Sequence, residues 1–338
     1  MKRLVLGNEA VAMGALKAGM TFFAAYPITP ASEIMHFLAN KEKEIAFVHA
    51  EDEIASIHMA IGASLAGRKA MTSSSGPGMS LKQEAIGLAH MMEVPLVVVD
   101  VQRVGPSTGM PTMPSQGDVL QARHGSHGDY NPIVLYPASV GECYRYTMEA
   151  FNAAEESRSP VILLLDGFLS HLSETVDLEA ITVVPAPRTL APLGQGNRHF
   201  TGLLAKDGVP RTKDTSYYRE WYHRVKAKMA KAAESCRFFE YLKNDQADTL
   251  LLAYGITSRV ILPLKGKYSL FRPVTMFPVL EDELKEAAAC HKRVVVVEMN
   301  DGQYRGEVER VLHRDVLGIP VLGGEISLNE IKERLNGL

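Results

Sequence analysis

Three acids in succession, Glu51, Asp52 and Glu53, stand where the apolar run "EIAFVH" gives way to "EIASIHMAIGASLAG", a stretch with helical spacing and little charge. One acid at such a junction serves to cap the helix, because its free N–H groups and the positive end of its dipole favour negative charge. Three exceed that need. Glu53 is followed by Ile54, Ala55, Ile57, Met59, Ala60 and Ile61, so the helix is expected to be buried almost all round. A carboxylate at its mouth would be poorly hydrated and suited to exchanging a proton.

Two further groups could act beside it. In "AYPITPAS", residues 25–32, Pro27 and Pro30 flank Ile28-Thr29 directly after Phe22-Phe23-Ala24. Each proline fixes its own φ and pushes the residue before it out of the helical region, so Tyr26 and Thr29 are held extended and Thr29 is presented on a stiff corner. In "VVVDVQRVGPSTGMPTMPSQGD" a strand delivers Arg103 into a long loop. At the carboxyl end of a parallel strand a guanidinium is placed to take a carboxylate, although an ordinary surface ion pair explains it equally well.

Weaker signals surround these. "TSSSGPGMSLKQEA" is a glycine-rich turn opening a helix, able to offer backbone N–H groups to an anion, yet it lacks the Lys-Ser/Thr ending of a phosphate loop and the G-x-G-x-x-G spacing of a dinucleotide site. His124, His127 and Asp129 in "ARHGSHGDY" have no second cluster to complete a metal set. No Gly-Asp-Gly with a following asparagine and no Cys-x-x-Cys occurs. The three cysteines, Cys143, Cys236 and Cys290, are odd in number and far apart, which argues against a disulfide framework and against a zinc or iron–sulfur set. Any redox centre is expected in another chain.

The elements that must position these residues alternate. "NEAVAMGALKAG" is amphipathic, "TFFAAYP" a short apolar run, "ASEIMHFLANKE" helical, and the pattern continues through "KAMTSSS", "VPLVVVDV", "PIVLYPA", "GECYRYTMEAFNAAEES" and "PVILLLDG". Continuously apolar strands between helices predict an α/β fold with a doubly wound parallel sheet covered on both sides. From about Ser173 to Thr215 prolines and glycines break the rhythm, and a basic helix follows at "SYYREWYHRVKAKMAKAAES". A smaller alternation closes the chain: "DTLLLAYG", "PVTMFP", "DELKEAAAC", "RVVVVEMN", "GEVERVLH", "IPVLGG" and "LNEIKERL". The expected organisation is a first domain over 1–185, a linker and wrapping segment over 186–245 and a second α/β domain over 246–338.

At 338 residues, with 46% hydrophobic and 22% charged residues and a formal net charge of −3, the chain suits two soluble domains and gives no sign of binding nucleic acid or membrane. The start "MKRLVLGNEAVAMGALKAGM" is interrupted by Asn8-Glu9 and carries no small-residue cleavage site, so a cytoplasmic location is expected.

Seven co-linear motifs make the chain resemble a known family, the α subunits of the 2-oxoacid:ferredoxin oxidoreductases, whose members use thiamine diphosphate. They are "YPITPAS" (26–32), "EDE" with "GASLAG" (51–67), "TSSSGPGMSLKQE" (72–84), "QRVGPSTGMPT" (102–112), "HGDYNPIVLYPAS" (127–139), "PVILLLDG" (160–167) and "VVVVEMNDGQ" (294–303). The resemblance implies a pyrimidine-binding domain followed by a domain like the C-terminal one of transketolase. It implies that a β subunit supplies the diphosphate and Mg²⁺ site and a [4Fe–4S] cluster, with γ and δ subunits as optional additions, which would account for the missing Gly-Asp-Gly and the scattered cysteines.

By motif position, Glu53 would hydrogen-bond the pyrimidine ring and share a proton with it, with Glu51 as its rival, while Pro27 and Ile28 would line the cofactor. Thr29 and Arg103 would bind the 2-oxoacid, Arg103 through the carboxylate. The implied reaction is CoA-dependent oxidative decarboxylation with electrons to ferredoxin, reversible in principle. "QRVGPSTGMPT" favours 2-oxoglutarate, converted to succinyl-CoA, over a branched-chain 2-oxoacid or pyruvate. The rival readings are a β-type subunit of a 2-oxoacid dehydrogenase complex, a non-catalytic structural subunit and a nucleotide-binding regulator.

Overall fold

The computed structural model describes residues 2–195 and 200–338. Its first half runs β1 (Arg3–Leu6), α1 (Gly7–Lys17), β2 (Phe22–Ala25), α2 (Ser32–Ala39), β3 (Ala46–His49), α3 (Glu53–Leu65), β4 (Ala70–Ser74), α4 (Pro77–Met91), β5 (Leu96–Val104), β6 (Met110–Pro114), α5 (Val119–His124), β7 (Ile133–Leu135), α6 (Val140–Ser157), β8 (Pro160–Asp166), α7 (Gly167–His171) and β9 (Ser173–Val176). Then come β10 (Ala205–Lys206), β11 (Val209–Pro210), α8 (Thr215–Glu234), β12 (Phe239–Leu242), β13 (Thr249–Leu252), α9 (Gly255–Ile261), β14 (Ser269–Pro273), β15 (Thr275–Phe277), α10 (Glu281–Ala288), β16 (Arg293–Glu298), α11 (Gln303–Leu312), β17 (Leu317–Pro320) and α12 (Leu328–Asn336).

Strands that are apolar at every position can be satisfied only between two covering layers, and the first sheet is built so. Its parallel strands lie in the order β3-β2-β4-β5-β8-β7. On its central pair, Val97–Val101 and Val161–Leu165 are buried throughout, and all but Asp100 are apolar. Each such side chain taken from water contributes about 1.5–3 kcal/mol. One face of the sheet packs against α1, α2, α6 and α8. The other packs against α3, α4 and α5 and continues into the core of the second sheet. The chain winds outward from β2 to β3 on one side and to β4 and β5 on the other, so a crevice opens above the β2/β4 boundary at the carboxyl ends of the strands.

The second sheet, in the order β12-β14-β13-β16-β17, carries α9 and α12 on its far side. Two strands depart from the sequence reading. Phe239–Leu242 falls inside the span expected to be linker, yet it pairs antiparallel with β14. Thr275–Phe277, part of the "PVTMFP" run assigned to the second domain, crosses back and pairs with β7 at the edge of the first sheet. A three-residue buried strand carries no local signal of which sheet it joins.

The segment after β8 does wrap. Strand β9 pairs antiparallel with β1, Lys69 Nζ donates to Ala186 O at 2.5 Å, and Leu193 N donates to Leu65 O at 2.8 Å. Helix α8 closes over α6 with Trp221, Val225 and Met229 inward. No helix among the described residues is long and apolar enough to cross a membrane.

Candidate active site

Four strand ends meet at the crevice, and each contributes one piece. At the end of β3, the Asp52 carboxylate takes the capping role, accepting from Ala55 N at 2.7 Å. Glu51 points into solvent and is exposed. Because capping is done by its neighbour, Glu53 is left as a buried carboxylate on the first residue of α3, 8% exposed. The rest of α3 is not buried all round as its composition suggested: Ile54 and Met59 are exposed, because the helix covers the sheet with one side only.

The turn after β4 is shaped around Glu53. At Gly78 an added Cβ would lie 2.7 Å from Glu53 Oε1 and 2.8 Å from Glu53 Cγ, so the carboxylate occupies the volume a side chain would take there. Gly76, with φ +47, passes below Arg103, whose Nε would stand 3.3 Å from a Cβ at that position. The glycines of "GPG" therefore serve close approach of side chains. Ser74 Oγ and Ser75 Oγ are buried beside them with no hydrogen-bond partner.

One residue of the site escaped the sequence reading. Lys82, fully buried one turn into α4, donates to Glu53 O at 3.0 Å, to Thr72 Oγ1 at 3.2 Å and to Ser56 Oγ. Burial lowers its ammonium to about 7, against the opposing pull of Glu53 and Asp52. Its three donors tie the first turn of α3 to β4, so the backbone that carries Glu53 is fixed. The signal available in sequence was its place on the inward stripe of α4, three residues after Met79 and four before Ile86.

From β5, Arg103 reaches back across the crevice, and its Nη1 donates to Thr29 O at 2.8 Å. The corner thus holds the arginine through a backbone carbonyl, and the Thr29 side chain is left exposed. Pro27 and Ile28 are half-buried, and Asn8 Nδ2 pins the corner by donating to Pro30 O at 2.8 Å. Arg103 is 6% exposed, and its Nε is buried without a partner. Burial pulls its pKa down, opposed by Asp118 and Glu53.

Thr29, Glu53 and Arg103 are therefore brought to one edge, while His124, at the end of α5, and His127 and Asp129, in the loop after it, lie exposed. A cavity of about 810 Å³ opens beside Arg103, between the turn at Gly76 and Pro77, the 105–118 loop, and Asn300, Gln303 and Gly324 of the second domain. Such an arrangement offers a buried carboxylate for proton transfer, a guanidinium with a free donor for an anion, and a cleft large enough for a long ligand.

Comparison with known proteins agrees with this geometry. Residues 13–240 match the family described as pyruvate flavodoxin/ferredoxin oxidoreductase, thiamine diphosphate-binding. The chain is 41% identical to the 2-oxoglutarate synthase subunit KorA of Archaeoglobus fulgidus, over 99% of this chain and 98% of that one. It is 37% identical to the ketoisovalerate oxidoreductase subunit VorB of Methanothermobacter thermautotrophicus, over 98% of this chain and 97% of the other. Among solved structures, the 2-oxoglutarate:ferredoxin oxidoreductase of Magnetococcus marinus, determined with 2-oxoglutarate, coenzyme A and succinyl-CoA bound, superposes with a TM-score of 0.91 at 31% identity. That match covers 99% of this chain and 65% of the other, so this chain spans about two thirds of its length. A split-gene transketolase shares the fold at a TM-score of 0.56 and 13% identity.

Proposed function

This chain belongs to the thiamine diphosphate-binding subunits of the pyruvate flavodoxin/ferredoxin oxidoreductase family, and on that premise we propose that it is the α subunit of a 2-oxoacid:ferredoxin oxidoreductase acting on 2-oxoglutarate. The reaction is oxidative decarboxylation with coenzyme A to succinyl-CoA and CO₂, with two electrons passing singly to ferredoxin. The observation that carries the reading is the Glu53 carboxylate, buried at the mouth of α3, seated against Gly78 and fixed from behind by Lys82.

The residues present fit the pyrimidine end of thiamine diphosphate. Ser74 and Ser75, beside Glu53 and Gly78, have hydroxyls with no partner within the chain, and Pro27 and Ile28, half-buried on the corner after β2, would supply the apolar side of the cleft. When bound, the cofactor supplies a carbon nucleophile for the 2-oxo carbon and a sink for the electrons left by loss of CO₂. Glu53 holds a proton at the pyrimidine ring nitrogen, and its shielding from water keeps that proton from leaking to solvent. Arg103 would anchor the substrate carboxylate through donors that Thr29 O leaves free, and the exposed Thr29 side chain would contact the 2-oxo group.

The diphosphate, Mg²⁺ and a [4Fe–4S] cluster are assigned to a β subunit, which covers the crevice. Tyr26, Ile54, Met59 and Leu81, all exposed apolar side chains on the corner and on α3 and α4, support such a covering surface. The ketoisovalerate relative makes a branched-chain 2-oxoacid the second reading.

The test is viologen reduction by the chain assembled with its partner, with thiamine diphosphate, Mg²⁺, coenzyme A and a panel of 2-oxoacids. Glu53→Gln keeps the shape and removes the shared proton, so turnover should fall by about 10²–10⁴-fold. Full turnover in the mutant would leave Glu53 without a catalytic role. A preference for 2-oxoisovalerate over 2-oxoglutarate would transfer the assignment to the second reading.

A further inference from the structure

Two carboxyl groups near this cavity are not used by the proposed reaction, Asp118 beside Arg103 and Asp100 behind it. Asp100, on β5, is wholly buried and neither of its oxygens has a hydrogen-bond partner. Asp118, in the loop leading to α5, lines the same cavity wall as Arg103, and its Oδ2 is also buried and unpartnered. The backbone explains how the two meet. Gln102 follows Asp100 by two residues, so both point to the same face of β5, and Gln102 Oε1 accepts from Asp118 N at 2.9 Å. The loop is thereby pinned with Asp118 one side-chain step from Asp100.

The charges facing Asp118 are few. Arg103 is the cation beside it, Asp100 the other acid, and Glu53 acts on Arg103 from α3. Lys82, on α4, is committed to Glu53, Ser56 and Thr72. The second domain brings only the uncharged Asn300 and Gln303 to this wall. Burial and the neighbouring Asp118 push Asp100 well above the usual carboxylate range. Burial raises Asp118 to about 6 against the pull of Arg103, so at neutral pH it is an ionised carboxylate on the cavity wall beside Arg103.

We propose that Asp118 is an internal counter-ion of Arg103 which competes with the substrate carboxylate and takes up a proton from water when a 2-oxoacid binds. The inference rests on the reading of Arg103 as the carboxylate anchor. The buried, unpartnered Nε of Arg103 is the donor left over for an incoming anion. With substrate bound, its carboxylate and Asp118 face one guanidinium, and Asp100, buried without a partner, offers no cation. A proton on Asp118 restores one anion to one cation. No covalent bond changes, and the proton returns to water when the carboxylate leaves.

A pH dependence of substrate capture follows. Above about pH 6, Asp118 is ionised before substrate arrives, so kcat/KM for 2-oxoacid should fall about tenfold per pH unit while kcat changes little. The experiment measures kcat and KM for 2-oxoglutarate by viologen reduction between pH 5.5 and 8.5, in the complex with its partner. Asp118→Asn should flatten kcat/KM above pH 6 and lower KM at least tenfold at pH 8. A wild-type profile that is flat over this range overturns the proposal without any variant. So does an Asp118→Asn enzyme that keeps the wild-type slope.

Arg103→Met separates this inference from the reading beneath it. If KM is unchanged in that variant, Arg103 is not the anchor and both fail. If KM rises at every pH while Asp118→Asn behaves as wild type, only the role of Asp118 is lost.

Discussion

Gly78 should be irreplaceable for activity while being dispensable for folding, and the geometry states by how much. A methyl group added at Gly78 would stand 2.7 Å from Glu53 Oε1 and 2.8 Å from Glu53 Cγ, against ordinary contacts of 3.4–4 Å. The carboxylate must therefore retreat by roughly 0.6–0.7 Å or more to recover normal van der Waals separation. The neighbouring Ser74 hydroxyl is crowded too, which closes one direction of escape. Nothing in the backbone needs to move, because the clashing atoms all belong to side chains, and alanine is favoured over glycine in a helix by about 0.5–1 kcal/mol.

A misplacement approaching 1 Å in a proton-transferring group costs on the order of 10²-fold in rate. Gly78→Ala should accordingly lower kcat in viologen reduction by about 10–100-fold, or about 1.4–2.7 kcal/mol of barrier, with a melting temperature within a few degrees of wild type. Gly306→Ala, in the middle of α11 with open space around its Cβ position, is the control expected to leave activity unchanged. Combining Gly78→Ala with Glu53→Asp should cost less than the two losses multiplied, since the shorter side chain vacates part of the volume that the methyl group takes. An unimpaired kcat in the folded Gly78→Ala enzyme would refute the argument, because it would mean the carboxylate can leave its seat without consequence.

Two further outcomes concern stability. Lys82 has a folded value of about 7 against 10.5 for the free side chain, so between these pH values the unfolded chain binds the extra proton and stability rises with pH, by up to about 1.4 kcal/mol per unit. Lys82→Met should remove that slope, and urea unfolding of both proteins at pH 6.5, 8 and 9.5 should show the mutant's relative advantage shrinking as pH rises; parallel curves would contradict it. Gly255 has φ +52, and a Cβ there would meet Tyr136 Cε2 at 2.5 Å, Asp166 Oδ2 at 2.7 Å and Gln116 Nε2 at 2.8 Å, all in the buried seam between the two sheets. Gly255→Ala should lose about 2–5 kcal/mol from strain and overpacking, read as a lower urea midpoint.

What the sequence made legible was whatever depends on local pattern. Strands such as β5 and β8 are apolar at nearly every position because both faces are covered, and that needs no partner to recognise. Glu53 stood out because a charge on the first residue of an uncharged helix must be hydrated, capped or used. Asp52 does the capping, an assignment that spacing alone could not make between three adjacent acids. The outward face of α3 was misjudged. Ile54 and Met59 look like core in the sequence, and they remain exposed because α3 covers the sheet with one side only.

Lys82, Asp100 and Asp118 were invisible for a different reason. Each is a charged type that sequence statistics send to the surface. Lys82 is held by groups of α3 and β4, Asp100 is buried without a partner because β5 is covered on both faces, and Asp118 is pinned through its backbone by Gln102. Their placement follows a common rule: a crevice at the ends of parallel strands gathers groups from β3, β4 and β5, whose order in space is set by topology. Arg103, the proposed anchor, illustrates it most directly. Its position is fixed by Thr29 O, 74 residues earlier, and it shares a cavity wall with Asp118, in a loop that β5 itself pins through Gln102. A substitution anywhere on that loop that loosens the Gln102–Asp118 contact would therefore act on substrate affinity through charge, without touching substrate.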